Sequence, residues 1–584
     1  MDVVIAALWS VGFVSLAQLV HSTSVAALRR AVCCGLAENP SVRTTLDLEI
    51  VGSLLTTVAK MQFLSWLKEN PDKYPIFSHD TFETTTGEKL TTRKQASHLS
   101  SWLIITYSCG WHARDPIGTS AVRSDAKHAS LVMGANQSSE EAKTPIPLFK
   151  VFMSDTVDTP LLTTLHSGYI TQGPKVDEFE QRLAKYFGTD RVLTTNSCTA
   201  AIHLAFRLLQ NPYPEAAWPG YVAGDEVLTC PLTCTATNWP ALANGMALKW
   251  VDVDPKTANM DLVDLERKLS PTTKVVIFVH WGGTPIDLDE VDAICDRCLE
   301  RFGFRPKVIE DCAHALGAEY KGKKLGNHGH MCVFSFQAIK HITTVDGGML
   351  TTPDDEYYRR GKLIRWFGID RTKRSDKQAG LKTTQSEVAA ASIAAATAKA
   401  EEADKAKKDF RAEAPIAEWG YKFHMNDVNA VIGIENLKHA ERIISACQSN
   451  GDFLREELIG DRRVPGIYAL DVPAGARSAY WLFTFAFEQP GFVLPFIEFM
   501  KSQGIAASQV HTRNDLHPTV AQYAPSEAAG TLVPQLEDFA ERFVCVPVGW
   551  WVTPNDRLRI IAAIREFAEA NELQSPAAVK GKDG

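Results

Sequence analysis

The run VIEDCAHALGAEYKGKKLGNHGHMCVFSFQAIKHITTVDGGML, Val308 to Leu350, holds two strand-length apolar segments, VIED and MCVFS, with Gly-rich turns between them. The first segment ends on Asp311, and the second leads through Ser335 to Lys340. On either side the same rhythm recurs: DRVLTTNSCTAAIHLAFRLL (190–209), DEVLTCPLTCTATNWPALANG (225–245), KWVDVD (249–254) and KVVIFVHWGG (274–283). Apolar strands alternating with helical stretches predict an α/β fold with a largely parallel sheet. In such a fold ligands bind outside the carboxyl ends of the strands, so an acid and an amine placed there are candidates for chemistry. The last hundred residues mix strands and helices as a smaller α+β domain would.

Composition narrows the function classes without choosing one. The 584 residues are 45% hydrophobic and 22% charged, and 61 Lys and Arg against 69 Asp and Glu leave a net charge of −8. A chain of that balance has no overall basic footprint for a phosphate backbone, which argues against nucleic acid as a partner. The 12 cysteines follow no recurring framework. Cys295 and Cys298 form a CxxC inside DLDEVDAICDRCLERFG, an amphipathic helix with no second pair to complete a zinc site, and no metal is expected. GxxxxGK[ST], HExxH and GxSxG are all absent from the sequence.

An amine among buried strands is costly as an ammonium, so its pKa falls and it becomes able to form a Schiff base. A strand-end carboxylate suits a pyridinium nitrogen, and pyridoxal 5′-phosphate uses such a lysine and acid together. A phosphate site is also available: in LTTNSCTAAIHLAFRLL a strand leads through a small polar turn into a helix, whose first amides would bind a dianion. Each feature taken alone has an ordinary reading, the pair as a surface ion pair and the turn as a Ser/Thr helix cap.

Together these segments resemble the DegT/DnrJ/EryC1/StrS family, pyridoxal-phosphate-dependent aminotransferases of nucleotide-sugar biosynthesis with the type I aminotransferase fold. The resemblance spans about residues 146 to 570: SGYITQGPKVDEFEQRLAKYFG, NSCTAAIHLA, EDCAHALGAEYKGKKLG, FSFQAIKHITTVDGGML, RWFGIDR and WGYKFHMNDVNAVIG. It implies that Lys340 holds the cofactor as a Schiff base and, once freed, moves the proton. Asp311 would pair with the ring nitrogen and His314 would face the cofactor's 3′ oxygen. Ser335 and the turn Ser197, Cys198, Thr199 would hold the phosphate, with Cys198 where the family usually has Gly. Cys234 occupies the place of an aromatic that commonly stacks on the cofactor, which leaves Trp239 and Trp281 as other stackers. The family completes its site across a homodimer through the segment holding Lys422, where many members have Asn. His511 and His280 are candidate substrate contacts.

The implied reaction moves an amino group, most simply from L-glutamate, to a nucleotide-linked keto-deoxysugar by a ping-pong route through pyridoxamine phosphate. A dehydrating branch of the family replaces the lysine by histidine, and Lys340 argues against it. A non-catalytic pyridoxal-phosphate-binding regulator is the rival reading. The expected partition is an N-terminal extension (1–132), a linker (133–145), a cofactor-binding domain (146–375), an Ala/Lys/Glu-rich inserted helix (376–414), a small domain (415–570) and a flexible tail (571–584). The catalytic part is expected in the cytoplasm. The uncharged apolar stretch 3–20 would allow a membrane anchor, giving a tethered form of the same enzyme.

Overall fold

The computed structural model describes residues 144–168, 170–370, 416–460, 463–521 and 533–573, with the strand residues 82–83 and 89–90. The chain divides into two units, residues 1–135 and 136–584. In the first unit, Phe82–Glu83 pairs antiparallel with Lys89–Leu90. The stretch 3–20, the inserted helix at 376–414, nearly all of the linker and residues 574–584 lie outside the described residues. Among the described residues no helix is long and apolar enough to cross a membrane.

The second unit is built on a seven-stranded sheet. In chain order its strands are β1 (Val192–Thr195), β2 (Glu226–Thr229), β3 (Ala247–Trp250), β4 (Thr273–Val279), β5 (Lys307–Asp311), β6 (Met331–Ser335) and β7 (Gly348–Thr351). Their spatial order is β1-β7-β6-β5-β4-β2-β3. Only β7 runs against its neighbours; the other pairings are parallel. β1, β5, β6 and β7 are buried along nearly their whole length, as expected of strands covered on both faces. This is the mostly parallel α/β fold that the sequence predicts.

Four helices position the site. α1 (Pro174–Phe187) buries Val176, Phe179, Leu183 and Phe187 along one stripe and stops at Gly188, in the left-handed region at φ 69°. α2 (Cys198–Gln210) follows β1 directly and is buried over most of its surface. α3 (Thr235–Ala243) follows β2. α4 (Leu288–Phe302) is capped by Asp287 and turns Cys295 and Cys298 into the core, where both remain free thiols.

Two distant sequence motifs meet at the start of α1. Asp427, first residue of α5 (Asp427–Leu437), accepts hydrogen bonds from the backbone N–H groups of Gly173, Lys175 and Val176 at 2.7 to 3.1 Å. Its carboxylate satisfies amides that a helix N-terminus leaves open. α6 (Ala440–Ile459) then leads into an antiparallel three-stranded sheet: β8 (Ile467–Ala469), β9 (Phe483–Phe487) and β10 (Phe543–Val546), in the order β8-β9-β10. The terminal helix α7 (Pro554–Ala570) opens with a capping box at Thr553 and Asp556.

Candidate active site

Asp311 ends β5 in register with Val279 of β4 and Val333 of β6, so its carboxylate stands at the middle of the sheet's carboxyl edge. It is buried, and both oxygens are bonded: Thr237 Oγ1 donates to Oδ2 at 2.7 Å and the Ala313 N–H donates to Oδ1 at 3.0 Å. Burial raises its pKa above the ordinary carboxylate value, against the pull of Thr237, Ala313 and the Lys340 charge. Lys340 is held by a tight turn after β6, its N–H donating to Gln337 O at 3.0 Å. Loss of solvation brings its amine down to about 8, while Asp311, Cys198 and Cys234 are close enough to act on its charge in the opposite direction. The loop continues through Val345 at φ 74°, a strained conformation for a β-branched residue. Its N–H is held there by Thr343 Oγ1 at 2.8 Å.

The strand order explains the turn at Ser197. Gly348 lies between Thr195 and Ser335 in the register, so β7 brings the lysine loop's end against the first turn of α2. A Cβ on Gly348 would stand 2.4 Å from the backbone N of Cys198. Ser197 caps α2 by accepting from the Ala200 N–H at 3.1 Å, which leaves Cys198 and Thr199 in the first turn with Ser335 nearby on β6. A dianion suits that turn's amides and the positive end of the helix dipole. Cys198 is itself buried, and burial pushes its thiol well up, so it adds no charge. Cys234 is the N-cap of α3.

A wall of rings completes this side. His314, 1% exposed, stacks on Trp481 with centroids 3.8 Å apart at 18°, and lies parallel to His511 at 5.9 Å. His314 Nδ1 and His511 Nε2 are buried with no hydrogen-bond partner among the described residues. Burial, reinforced by the Lys340 charge, holds His314 well below the usual imidazole range and His511 at about 4, so both rings are neutral. The loop holding His511 is tied to α3 and the segment before it: Asn514 donates to Thr233 O at 2.7 Å and accepts from Asn238 at 3.0 Å.

The other predicted residues stand around this group. His280 is fully buried, its Nε2 3.0 Å from Glu310 Oε2 and its Nδ1 accepting from the Ile286 N–H at 3.2 Å. Lys422 is exposed and lines an open cavity of about 530 Å³ with Leu165, Ile170, Asn196, His424 and Asn429. That cavity backs onto the turn at Ser197, because Asn196 N donates to Phe423 O at 2.7 Å. Trp281 meets His314 edge-on at 6.1 Å, and Trp239 meets His517 edge-on at 5.8 Å. Sequence reasoning missed Thr237, Asn238, Asn514 and Trp481. Thr237 and Asn238 stand inside the quoted TATNW, where a polar pair on an otherwise apolar helix start was the available signal.

Residues 154–565 match the DegT/DnrJ/EryC1/StrS aminotransferase family, and the chain belongs to it. It is an aminotransferase. The solved structure of AtS13 from Actinomadura melliaura is 41% identical, with a TM-score of 0.61, covering 73% of this chain and 99% of that one. The sugar aminotransferase CalS13 from Micromonospora echinospora is 36% identical, with a TM-score of 0.61, covering 72% and 99%. A UDP-4-amino-4-deoxy-L-arabinose–oxoglutarate aminotransferase from Shewanella sediminis is 28% identical over 58% of this chain and 74% of its own length. Pyridoxal 5′-phosphate is the family's cofactor, and the residues present suit it. A desolvated amine, a buried acid raised by burial that a cationic ring nitrogen would relieve, an unpartnered His314 nitrogen and a helix start too close for a Cβ at Gly348 are what it requires.

Proposed function

We propose that this enzyme transfers the amino group of L-glutamate to the carbonyl of a nucleotide-linked keto-deoxysugar, in two half-reactions of ping-pong form. The observation that carries the reading is the Lys340 amine, lowered to about 8 beside the buried Asp311. Near neutral pH such an amine exchanges a proton readily in either direction, as a group that must both take and return one should. When bound, the cofactor supplies an electron-withdrawing ring that stabilises the carbanion left on the donor carbon.

The chain's own residues do the rest. Lys340 bonds the cofactor and, once released, carries the proton. Asp311 keeps the ring nitrogen protonated, fixed in place by Thr237 and Ala313. His314 meets the 3′ oxygen, and the turn at Ser197, Cys198 and Thr199 with Ser335 holds the phosphate. His511 contacts the sugar. Lys422, set beside Asn196 on the outer cavity, would reach the phosphate of a second copy in a homodimer. The glutamate and nucleotide-sugar assignment is supported by the Shewanella relative, whose name pairs a UDP-linked amino sugar with oxoglutarate.

The test is ¹⁵N-glutamate supplied with a panel of nucleotide ketosugars. Release of 2-oxoglutarate and appearance of ¹⁵N on one sugar are expected. A cofactor-loaded protein that responds to no amino donor would leave only a binding role, and one that consumes glutamate but aminates no sugar would overturn the substrate class.

A further inference from the structure

Trp481 comes from the small domain, in RSAYWLFTF just before β9, yet four contacts place it in the catalytic lysine's surroundings. Its indole N–H donates to the carbonyl of Ile339, the residue preceding Lys340, at 3.0 Å. His314 stacks on the indole at 3.8 Å and Phe149 at 4.9 Å. The Lys340 Nζ sits over the ring, 3.7 Å from its centroid.

The indole's own position is firmly set. Trp481 is 4% exposed, and its backbone N–H donates to Gly282 O at 2.8 Å, in the turn after β4. A Cβ on the neighbouring Gly283 would come within 2.9 Å of Tyr480 N and 3.1 Å of Trp481 N, so that turn and this segment touch backbone to backbone. Tyr480 is held at φ 46°, a conformation a bulky residue adopts only when its surroundings impose it.

We propose that Trp481 is the positioning residue for Lys340, holding the free amine on its indole ring whenever that amine is not covalently engaged, and fixing His314 with the same ring. This rests on the reading of Lys340 as the reactive amine. An aromatic face attracts an ammonium electrostatically, so the contact stabilises the protonated amine against the desolvation that works the other way. It therefore keeps the amine's proton exchange near the working pH and the Nζ within reach of the site. Asp311, Cys198, Cys234, His314, His341 and His511 are the other titratable groups that act on Lys340 or are acted on by it. Of these, His314 stacks on the indole, and its ring is neutral over the pH range of the test, so its movement brings no charge to Lys340.

The experiment is trace acetylation of the full-length chain, freed of cofactor, across a pH series, with the Lys340 peptide read by mass spectrometry. Wild type should label with a midpoint near 8. Trp481→Leu and Trp481→Met keep the space apolar but remove the ring, and their midpoints should fall by about 0.5 to 1 pH unit. If neither folds, Trp481→Phe decides, with a smaller fall expected from its weaker ring. A midpoint unchanged or raised in every folded variant overturns the proposal and leaves the Lys340 reading intact. A wild-type Lys340 that does not label at any pH would instead sink that reading.

Discussion

Replacing His330 by Gln should remove a pH-dependent part of the stability at a site separate from Lys340. His330 is 6% exposed, with Nδ1 2.8 Å from Glu310 Oε1 and Nε2 3.1 Å from Asp292 Oδ1. Desolvation pulls its proton affinity down, but hydrogen bonds to Asp292 and Glu310, together with their charges, outweigh it and carry the imidazole up to about 9. Glu310, fully buried between His280 and His330, is held well below the usual carboxylate range by those two partners despite its burial. A histidine with a folded pKa above its ordinary 6.5 contributes stability that is complete below 6.5 and is lost as pH rises through about 9. At 1.36 kcal/mol per unit the contribution is about 3 kcal/mol. Lys340, lowered from 10.5 to about 8, works in the opposite sense over pH 8 to 10.5 and blurs the wild-type curve. The comparison of wild type with the variant isolates His330. In thermal scans at fixed rate, wild type should exceed His330→Gln by several degrees more at pH 6 than at pH 9.5. A gap equal at the two pH values would refute the charged pair.

Gly348→Ala would force a Cβ to 2.4 Å from Cys198 N, and relief by moving the α2 start should cost about 1 to 3 kcal/mol and weaken cofactor retention, measured by spectroscopic titration. Thr237→Val removes the hydroxyl that donates to Asp311 and should cost about 1 to 3 kcal/mol in denaturant unfolding, with cofactor affinity reduced and Thr237→Ser restoring both. Asn514→Ala leaves Asn238 and the Thr233 carbonyl without their buried partner. It should destabilise by about 1 to 3 kcal/mol and raise the KM for the sugar more than for glutamate, because the His511 loop loses its tie.

Asp311 and Lys340 were legible because one ends an apolar strand and the other follows one, at the carboxyl edge of a parallel sheet where ligands bind. The turn at Ser197 was legible for a similar reason, since a helix start can be read from its cap. Gly348 shows the limit of this kind of reading. The glycine pair is visible in VDGGML, but its contact with Cys198 exists only because β7 inserts between β1 and β6. Trp481 was hidden more thoroughly: AYWLFTF reads as a core strand, and nothing local marks one of its rings as facing a lysine 141 positions earlier. Glu310 was overlooked for a third reason. It precedes Asp311 in β5, but successive residues of a strand point to opposite faces, and Glu310 turns to His280 and His330 while Asp311 turns to Thr237. His280 illustrates the same point, since a histidine at a strand end looks like a ligand until its partners are known.

Lys340 is proposed as the amine that bonds pyridoxal phosphate. The most direct measurement is borohydride reduction of the cofactor-loaded chain, followed by peptide mass spectrometry and visible spectroscopy of wild type and Lys340→Ala. A cofactor adduct on the Lys340 peptide, a visible absorption band that glutamate bleaches, and loss of both adduct and band in the variant are expected. An adduct on another lysine, or a band that survives in Lys340→Ala, would contradict it.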